Sequence, residues 1–350
     1  MGKDGAPPRL NKKTMKTTIL LTLAVALLAL AARPLATPAT VDENTPVHEV
    51  LMALGAPERA DVKVRPAAGG TVELGRQIVT ENTLSDGDDQ SNHFTCTACH
   101  NLVREDPVLN APDPEARLDY AVRNNLPFLP GTTLWGAVNR ETYYNGDYDK
   151  KYGDLVKNAR NNLRGAIQLC AVECAQGEAL TDEEMESVVA FLHTIGLKVS
   201  DLPEDAPSVE AINRAIAAGG DNDGVIKQLK RSYNLASPAT FVLPPEDRKA
   251  GFPVAGTDNP ANGKEIYERA CLHCHQDQRY SFFELASNEF HYAFMTKHFP
   301  KYTRYSTYQV TRYGTSPIPG KRAYMPHYTA ERMSDRQIED LRAYLNQAAK

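Results

Sequence analysis

Two stretches of the chain read Cys-x-x-Cys-His: Cys96-Thr97-Ala98-Cys99-His100 and Cys271-Leu272-His273-Cys274-His275. This is the attachment sequence of c-type haem. The two thiols form thioethers with the porphyrin vinyl groups, and the adjacent imidazole binds iron from the proximal side. About one helical turn lays both sulfurs along one porphyrin edge and sets the next residue beneath the metal. A structural zinc site wants four ligands in paired clusters, and a redox dithiol wants a βαβ context. Neither accompanies these motifs. The spacing predicts two covalently bound haem c groups, attached through Cys96, Cys99, Cys271 and Cys274, with His100 and His275 as proximal ligands.

Each iron then needs a distal partner. After the second motif, Tyr324-Met325-Pro326-His327-Tyr328 puts Met325 nine residues before the helix start at Ser334. A Met-Pro step in an extended loop directs a thioether at the open iron face, and His/Met ligation raises the reduction potential. Core packing is the alternative use of such a methionine. Met295, His291 and His298 are weaker candidates, His327 is a rival, and Met333 is expected on a helix face. The first motif has no methionine in the matching loop. There the chain reads Gln168-Leu169-Cys170-Ala171-Val172-Glu173-Cys174-Ala175, which holds the remaining two of six cysteines. Cys170 and Cys174 lie eleven and seven residues before Thr181. Cys170 is the expected sixth ligand and Cys174 the alternative, and a thiolate there would lower the potential. A Cys170–Cys174 disulfide and inert buried thiols are the other readings. His93 and His193 are fallback ligands.

The elements that must carry these residues repeat. Each motif is preceded by a glycine in a helical stretch, Gly75-Arg76-Gln77-Ile78 and Gly263-Lys264-Glu265-Ile266. Each is followed by a helix opened by a capping box, Thr181 with Glu184 and Ser334 with Gln337. No Val/Ile-rich alternating strand intervenes, so the fold class is mainly α with long loops. The first repeat runs over 71–197 and the second over 259–350. A connector, 198–258, is Pro-rich and partly ordered, with helical spacing at Val209–Ala218 and Val225–Tyr233. Residues 32–70, rich in Pro, Ala and Thr, read as a leader or tether with one short helix at Val47–Leu54.

At the start, residues 1–17 carry five bases and one acid, the run Thr18–Ala32 is apolar, and Ala29-Leu30-Ala31 offers a small-x-small exit. This is the pattern of a secretory signal peptide over 1–31, with Met15 an alternative start. The run is shorter than the roughly 20 residues a bilayer span needs, so no stable membrane span is expected after cleavage. Cleavage would take the formal net charge from -5 to near -9. An acidic chain argues against nucleic acid as a partner, and export to the periplasm suits covalent haem attachment.

Gly-x-x-Ile before Cys-x-x-Cys-His, and Met-Pro-x-Tyr before a capped helix, resemble class I cytochrome c domains in both repeats. The resemblance implies two cytochrome c-type helical domains that pass electrons between a donor and a redox partner, such as another cytochrome, a copper protein or a terminal oxidase. The first repeat is also similar to thiosulfate dehydrogenase and SoxA-type sulfur cytochromes, through Leu134-Trp135-Gly136, Arg164-Gly165-Ala166-Ile167, Cys170, Gly177 and Leu180. That similarity implies Cys170 as haem ligand and, in an enzyme, as the residue that meets a sulfur substrate. The run after it departs from the family pattern, and Glu173 opposes an anionic substrate. Leu74-Gly75-Arg76 and Leu84-Ser85 resemble dihaem peroxidases more weakly. Phe282–Tyr313, dense in aromatic residues with Lys297, Lys301, Arg304 and Arg312, reads as haem-pocket wall or docking face. Asp86-Gly87-Asp88-Asp89 lacks the rest of a calcium loop and reads as a solvated turn.

Overall fold

A computed structural model describes residues 40–350 apart from 68, 257, 317 and 319–322. The expected signal peptide over 1–31 lies outside the described residues. Val41–Lys350 form one compact unit. It is mainly helical, and among the described residues the β pairing consists of isolated bridges, such as Thr315 with Met325. No described helix is long and apolar enough to cross a membrane.

Each repeat is built on a crossing of its first and last helices. In the first, α2 (Val72–Glu81) starts at Thr71, whose side chain accepts from the Leu74 N–H. It crosses α5 (Asp182–Thr194), which opens with the Thr181/Glu184 capping box. Gly75 is the crossing point, because a Cβ there would stand 1.9 Å from the Ser187 carbonyl oxygen and 2.9 Å from the Phe191 Cβ. In the second, α8 (Pro260–Ile266) crosses α11 (Asp335–Ala348) at Gly263. A Cβ there would stand 2.0 Å from the Asp340 carbonyl oxygen and 2.7 Å from the Tyr344 Cβ. Ile78, Val79, Val188, Phe191 and Leu192 fill the first crossing. Ile266, Tyr267, Ile338, Leu341 and Leu345 fill the second. Burying each such side chain contributes about 1.5–3 kcal/mol. The second core also takes in Leu118, Ala121 and Phe128 of the first repeat, carried on and just after α3 (Pro114–Arg123). The helices α4 (Leu163–Leu169), α9 (Glu289–His298) and α10 (Thr307–Tyr313) complete the repeats.

The connector carries α6 (Val209–Ala218), as expected, and α7 (Asp223–Arg231), which stops two residues before the buried Tyr233. The reading of 32–70 as a tether is corrected from Val41 onward. Val41, Val50 and Leu54 form a small core with Ile212 and Leu229 of the connector. Val47, on α1 (Val47–Ala53), packs with Leu197 and Tyr233. Further on, Arg59 pairs with Asp61 at 2.6 Å, and the Arg65 N–H donates to Glu186 at 2.7 Å. The Pro- and Ala-rich composition lies toward the two ends of this stretch. Between them, apolar residues at helical spacing outweigh it by finding a partner surface.

Candidate functional site

The two Cys-x-x-Cys-His segments reach their positions differently. The first forms a single 3₁₀ turn, Cys96–Ala98. In the second, α8 widens into a π-helical turn, Tyr267–Cys271, before one helical turn at Leu272–His275. Both end with the same anchoring of the histidine. The His100 Nδ1 lies 2.6 Å from the Thr132 carbonyl oxygen, and the His275 Nδ1 lies 2.8 Å from the Phe283 carbonyl oxygen. A carbonyl only accepts, so each Nδ1 carries the proton and each Nε2 keeps its lone pair. Burial pushes both imidazoles below the ordinary histidine range, which keeps them neutral. That is the state in which imidazole ligates a metal. Gly131 makes the first anchor: a Cβ there would stand 2.6 Å from both the Cys99 carbonyl oxygen and the His100 ring.

The attachment thiols sit in apolar surroundings. Burial pushes Cys96 up to about 11 and Cys271 and Cys274 up to about 12, and drives Cys99 well above the usual thiol range. All six cysteines are free, so no disulfide joins Cys170 to Cys174. Neutral, desolvated thiols beside a neutral imidazole with a free Nε2 fit covalent haem c at both motifs.

The two motifs touch. The Cys274 Sγ lies 3.7 Å from the Ala98 carbonyl oxygen, and the His273 ring is hydrogen-bonded to the backbone of Thr97. Sequence reasoning did not foresee this contact, nor the buried ionic cluster next to it. Glu105 accepts from Arg332 at 2.8 Å, from Asn101 at 2.7 Å and from the Thr133 N–H at 2.8 Å. Arg332 also donates to the Leu129 and Gly131 carbonyls at 2.9 and 2.8 Å. The second repeat thereby grips the loop that holds His100.

Around Cys170 and Cys174, α4 opens into a second π-helical turn, Cys170–Cys174, closed by the Ala175 N–H on the Cys170 carbonyl at 2.9 Å. Both thiols are half-buried. Hydrogen bonds from the Cys170 thiol and the Tyr324 hydroxyl hold Cys174 below the usual thiol range, against burial and Glu173. Cys170, acting as donor to Cys174 and buried, is pushed well above that range. The wall is aromatic: Tyr144 and Tyr152 flank Tyr148 at 5.3 and 5.9 Å between ring centroids. Tyr148 and Tyr152 share one short helix, Asp147–Tyr152, and Tyr144 precedes it with a left-handed backbone, φ 48°.

The other candidates sort by their neighbours. The Met325 backbone is pinned to Thr315, with the Met325 N–H on Thr315 Oγ1 at 2.8 Å and the Thr315 N–H on the Met325 carbonyl at 2.9 Å. Met295, like Cys271 and Phe283, packs against the second core. Met333 is corrected from a helix face to a buried core position just ahead of the Ser334 cap. His327 is buried against Phe241 and Tyr148, with ring centroids at 4.2 and 5.6 Å, and so faces the connector and the first repeat. His291 bonds its own helix cap, Asn288, and His298 bonds the Phe294 carbonyl. His193 is withdrawn as a fallback ligand, because its Nε2 lies 2.7 Å from the Val62 carbonyl oxygen and its ring meets His48 at 4.5 Å. His93 stands beside Phe94 with a buried Nδ1 that has no hydrogen-bond partner.

Residues 258–345 match the family described as cytochrome C oxidase, cbb3-type, subunit III. This stretch is a cytochrome c domain. No curated protein and no solved structure matches the chain significantly. Such a domain implies covalently bound haem c and electron transfer with partner proteins, and here the cytochrome c domain contains Cys271, Cys274 and His275.

Proposed function

We propose that the chain is an exported, periplasmic dihaem c-type cytochrome that passes electrons between a donor and a redox partner protein. Cys96 and Cys99 would hold one haem with His100 as proximal ligand, and Cys271 and Cys274 the other with His275. Met325 is the proposed sixth ligand in the second repeat, and a sulfur of the Cys170/Cys174 pair in the first. When bound, each haem supplies a one-electron couple at its iron. One observation carries the reading: two Cys-x-x-Cys-His segments, each with its histidine Nδ1 tied to a carbonyl, meet at 3.7 Å between Cys274 and Ala98. The Thr132 and Phe283 carbonyls fix each ring and raise its basicity toward iron. The four attachment sulfurs are half-buried.

The test is intact mass together with pyridine haemochrome on the exported protein. Two haems per chain are expected, one after Cys96→Ala/Cys99→Ala, and an N-terminus beyond Ala31. A single haem in the unaltered protein overturns the dihaem reading.

The half-buried Cys170/Cys174 pair favours a second reading, oxidation of a sulfur compound at the first site. Glu173, whose charge acts on Cys174, disfavours an anionic substrate there. Reduction of the haems on adding thiosulfate or sulfite would support this reading, and inertness would leave electron transfer alone.

A further inference from the structure

A row of rings leads away from His275. Its ring meets the Phe283 ring at 5.7 Å between centroids, Phe283 meets Phe294 at 5.5 Å, and Phe294 stacks on His298 at 4.1 Å. The Phe283 carbonyl, 2.8 Å from the His275 Nδ1, joins the first two members a second way. At the outer end, Lys301 Nζ donates to the His298 Nε2 at 3.2 Å. α9 sets Phe294 and His298 one turn apart on one side and buries Tyr292 on another. Phe290 lies one turn back from Phe294 and is 74% exposed. Phe282, Tyr302 and Tyr305 are exposed too. Residues 297–305 hold Lys297, Lys301 and Arg304 and no acid, and Arg304 lies over the Tyr305 ring at 4.7 Å. Arg248 adds a base over Tyr302 at 5.2 Å, beside Glu246 and Asp247, while Glu284 and Glu289 lie toward the other end of α9. The row therefore surfaces in a basic patch, on a chain whose 44 acids outnumber its 39 bases.

We infer that the face bearing Phe290, Lys297, Lys301 and Arg304 is where an acidic redox protein docks on the second repeat, and that the Phe283–Phe294–His298 row is the electron's way in or out. The inference rests on the reading that His275 holds the iron of a haem on Cys271 and Cys274. Exposed aromatic side chains beside charged ones mark an interaction surface and supply its apolar anchors. The bases select the partner's sign, because a local positive potential gathers carboxylates even on a molecule of opposite net charge. A second copy of this chain in a two-fold pairing would set these bases against themselves, which disfavours it as the occupant. Nucleic acid would match the charge but has no use for a path to His275. Rings in near contact overlap electronically better than saturated side chains over the same span. The transfer balances simply: one electron passes from ferrous iron to an acceptor on the partner, the iron becomes ferric as the acceptor is reduced, and no bond forms or breaks.

The experiment follows oxidation of the reduced full-chain holoprotein by stopped flow, with anionic ferricyanide and cationic tris(phenanthroline)cobalt(III) as one-electron oxidants and poly-glutamate as the acidic surface. Variants are the charge reversal Lys297→Glu/Lys301→Glu/Arg304→Glu, then Phe294→Leu and Phe290→Ser. Peptide mass first shows haem on Cys271 and Cys274, and spectra, midpoint potentials and thermal melts show that each variant is folded and loaded. In the unaltered protein the ferricyanide rate should fall as salt rises, although the net charge predicts a rise. Poly-glutamate should inhibit it. Charge reversal should slow ferricyanide about tenfold, the low end of electrostatic steering, abolish the inhibition and leave the cobalt complex no slower. Phe294→Leu should slow both oxidants without changing the salt dependence. If charge reversal changes neither the ferricyanide rate nor its salt dependence, no acidic partner docks here and the inference fails. If Phe294→Leu changes neither rate, the ring row is not the route. Inhibition by duplex DNA without inhibition by poly-glutamate overturns the inference in favour of nucleic acid. A dimer in sedimentation that Phe290→Ser dissolves overturns it in favour of a second copy. Absence of haem from Cys271 and Cys274 fails the underlying reading instead, and is seen before any rate is measured.

Discussion

Replacing Arg332 with Met should unlock the two repeats from each other. Arg332 is 6% exposed and its partner Glu105 1%. Their contact is therefore a desolvated pair, and its loss leaves a buried carboxylate behind. Removing one member of such a pair costs about 3–5 kcal/mol. The lower end applies here. Arg117 stays 4.0 Å from Glu105, and the Asn101 and Thr133 hydrogen bonds survive. Arg117 also gains, because burial and the neighbouring Arg332 charge now hold it down at about 9. Titration gives a second route to the size. Burial pushes Glu105 up, but Arg332 and then Arg117 overcome that and hold it at about 2, against an ordinary 4.5. At 1.36 kcal/mol per pH unit this difference corresponds to about 3 kcal/mol. The sign follows from a depressed acid: the stabilisation is complete above the unfolded pKa and is lost as pH falls from about 4.5 toward 2. Urea midpoints of the full-chain holoprotein, with Arg332→Met, Glu105→Gln and the double variant, measure both effects. Arg332→Met should lose about 3 kcal/mol at neutral pH and show a flatter acid limb. The double variant should lose less than the two single losses together. A loss below about 1 kcal/mol, or fully additive losses, would refute the argument that this pair is buried and coupled.

Three further outcomes are expected. His48 is held near 4 by burial and the adjacent His193, so wild-type stability should fall as pH drops from 6.5 toward 4, by less than the full shift implies because solvent screens the part-exposed ring; His48→Gln should lack that fall in pH-dependent thermal melts. Gly131→Ala should cost about 1–3 kcal/mol through overpacking against Cys99 and His100, and should alter the spectrum of the first haem alone; an unchanged spectrum would show that this glycine does not position His100. Met325→Leu should remove the long-wavelength ferric band of sulfur–iron ligation and lower the second potential, and persistence of the band would turn attention to Met295.

What the sequence displayed was what is written locally. The Cys-x-x-Cys-His motifs, the caps at Thr181 and Ser334 and the glycines at 75 and 263 each need only a few neighbouring residues to be read, and the helices stand where those signals put them. The tether over 32–70 misled because composition reports average packing tendency, while Val47, Val50 and Leu54 needed only one partner surface, which the connector provides. Tyr324 and Arg332 were not legible, since each looks like an ordinary member of its own repeat. Their partners lie across the chain, as with Arg332 and Gly131 at a separation of 201 residues. No short-range pattern records such a choice. The consequence is physical. The segment from Tyr324 to Arg332 serves the second repeat's loop on one side and the first repeat's wall and histidine loop on the other. A cut through the connector would therefore leave the first repeat with its attachment motif intact, but with Cys174 lacking a donor and Glu105 buried without Arg332. The isolated first repeat should then be less stable and have a different first-site potential, although its own sequence pattern is complete.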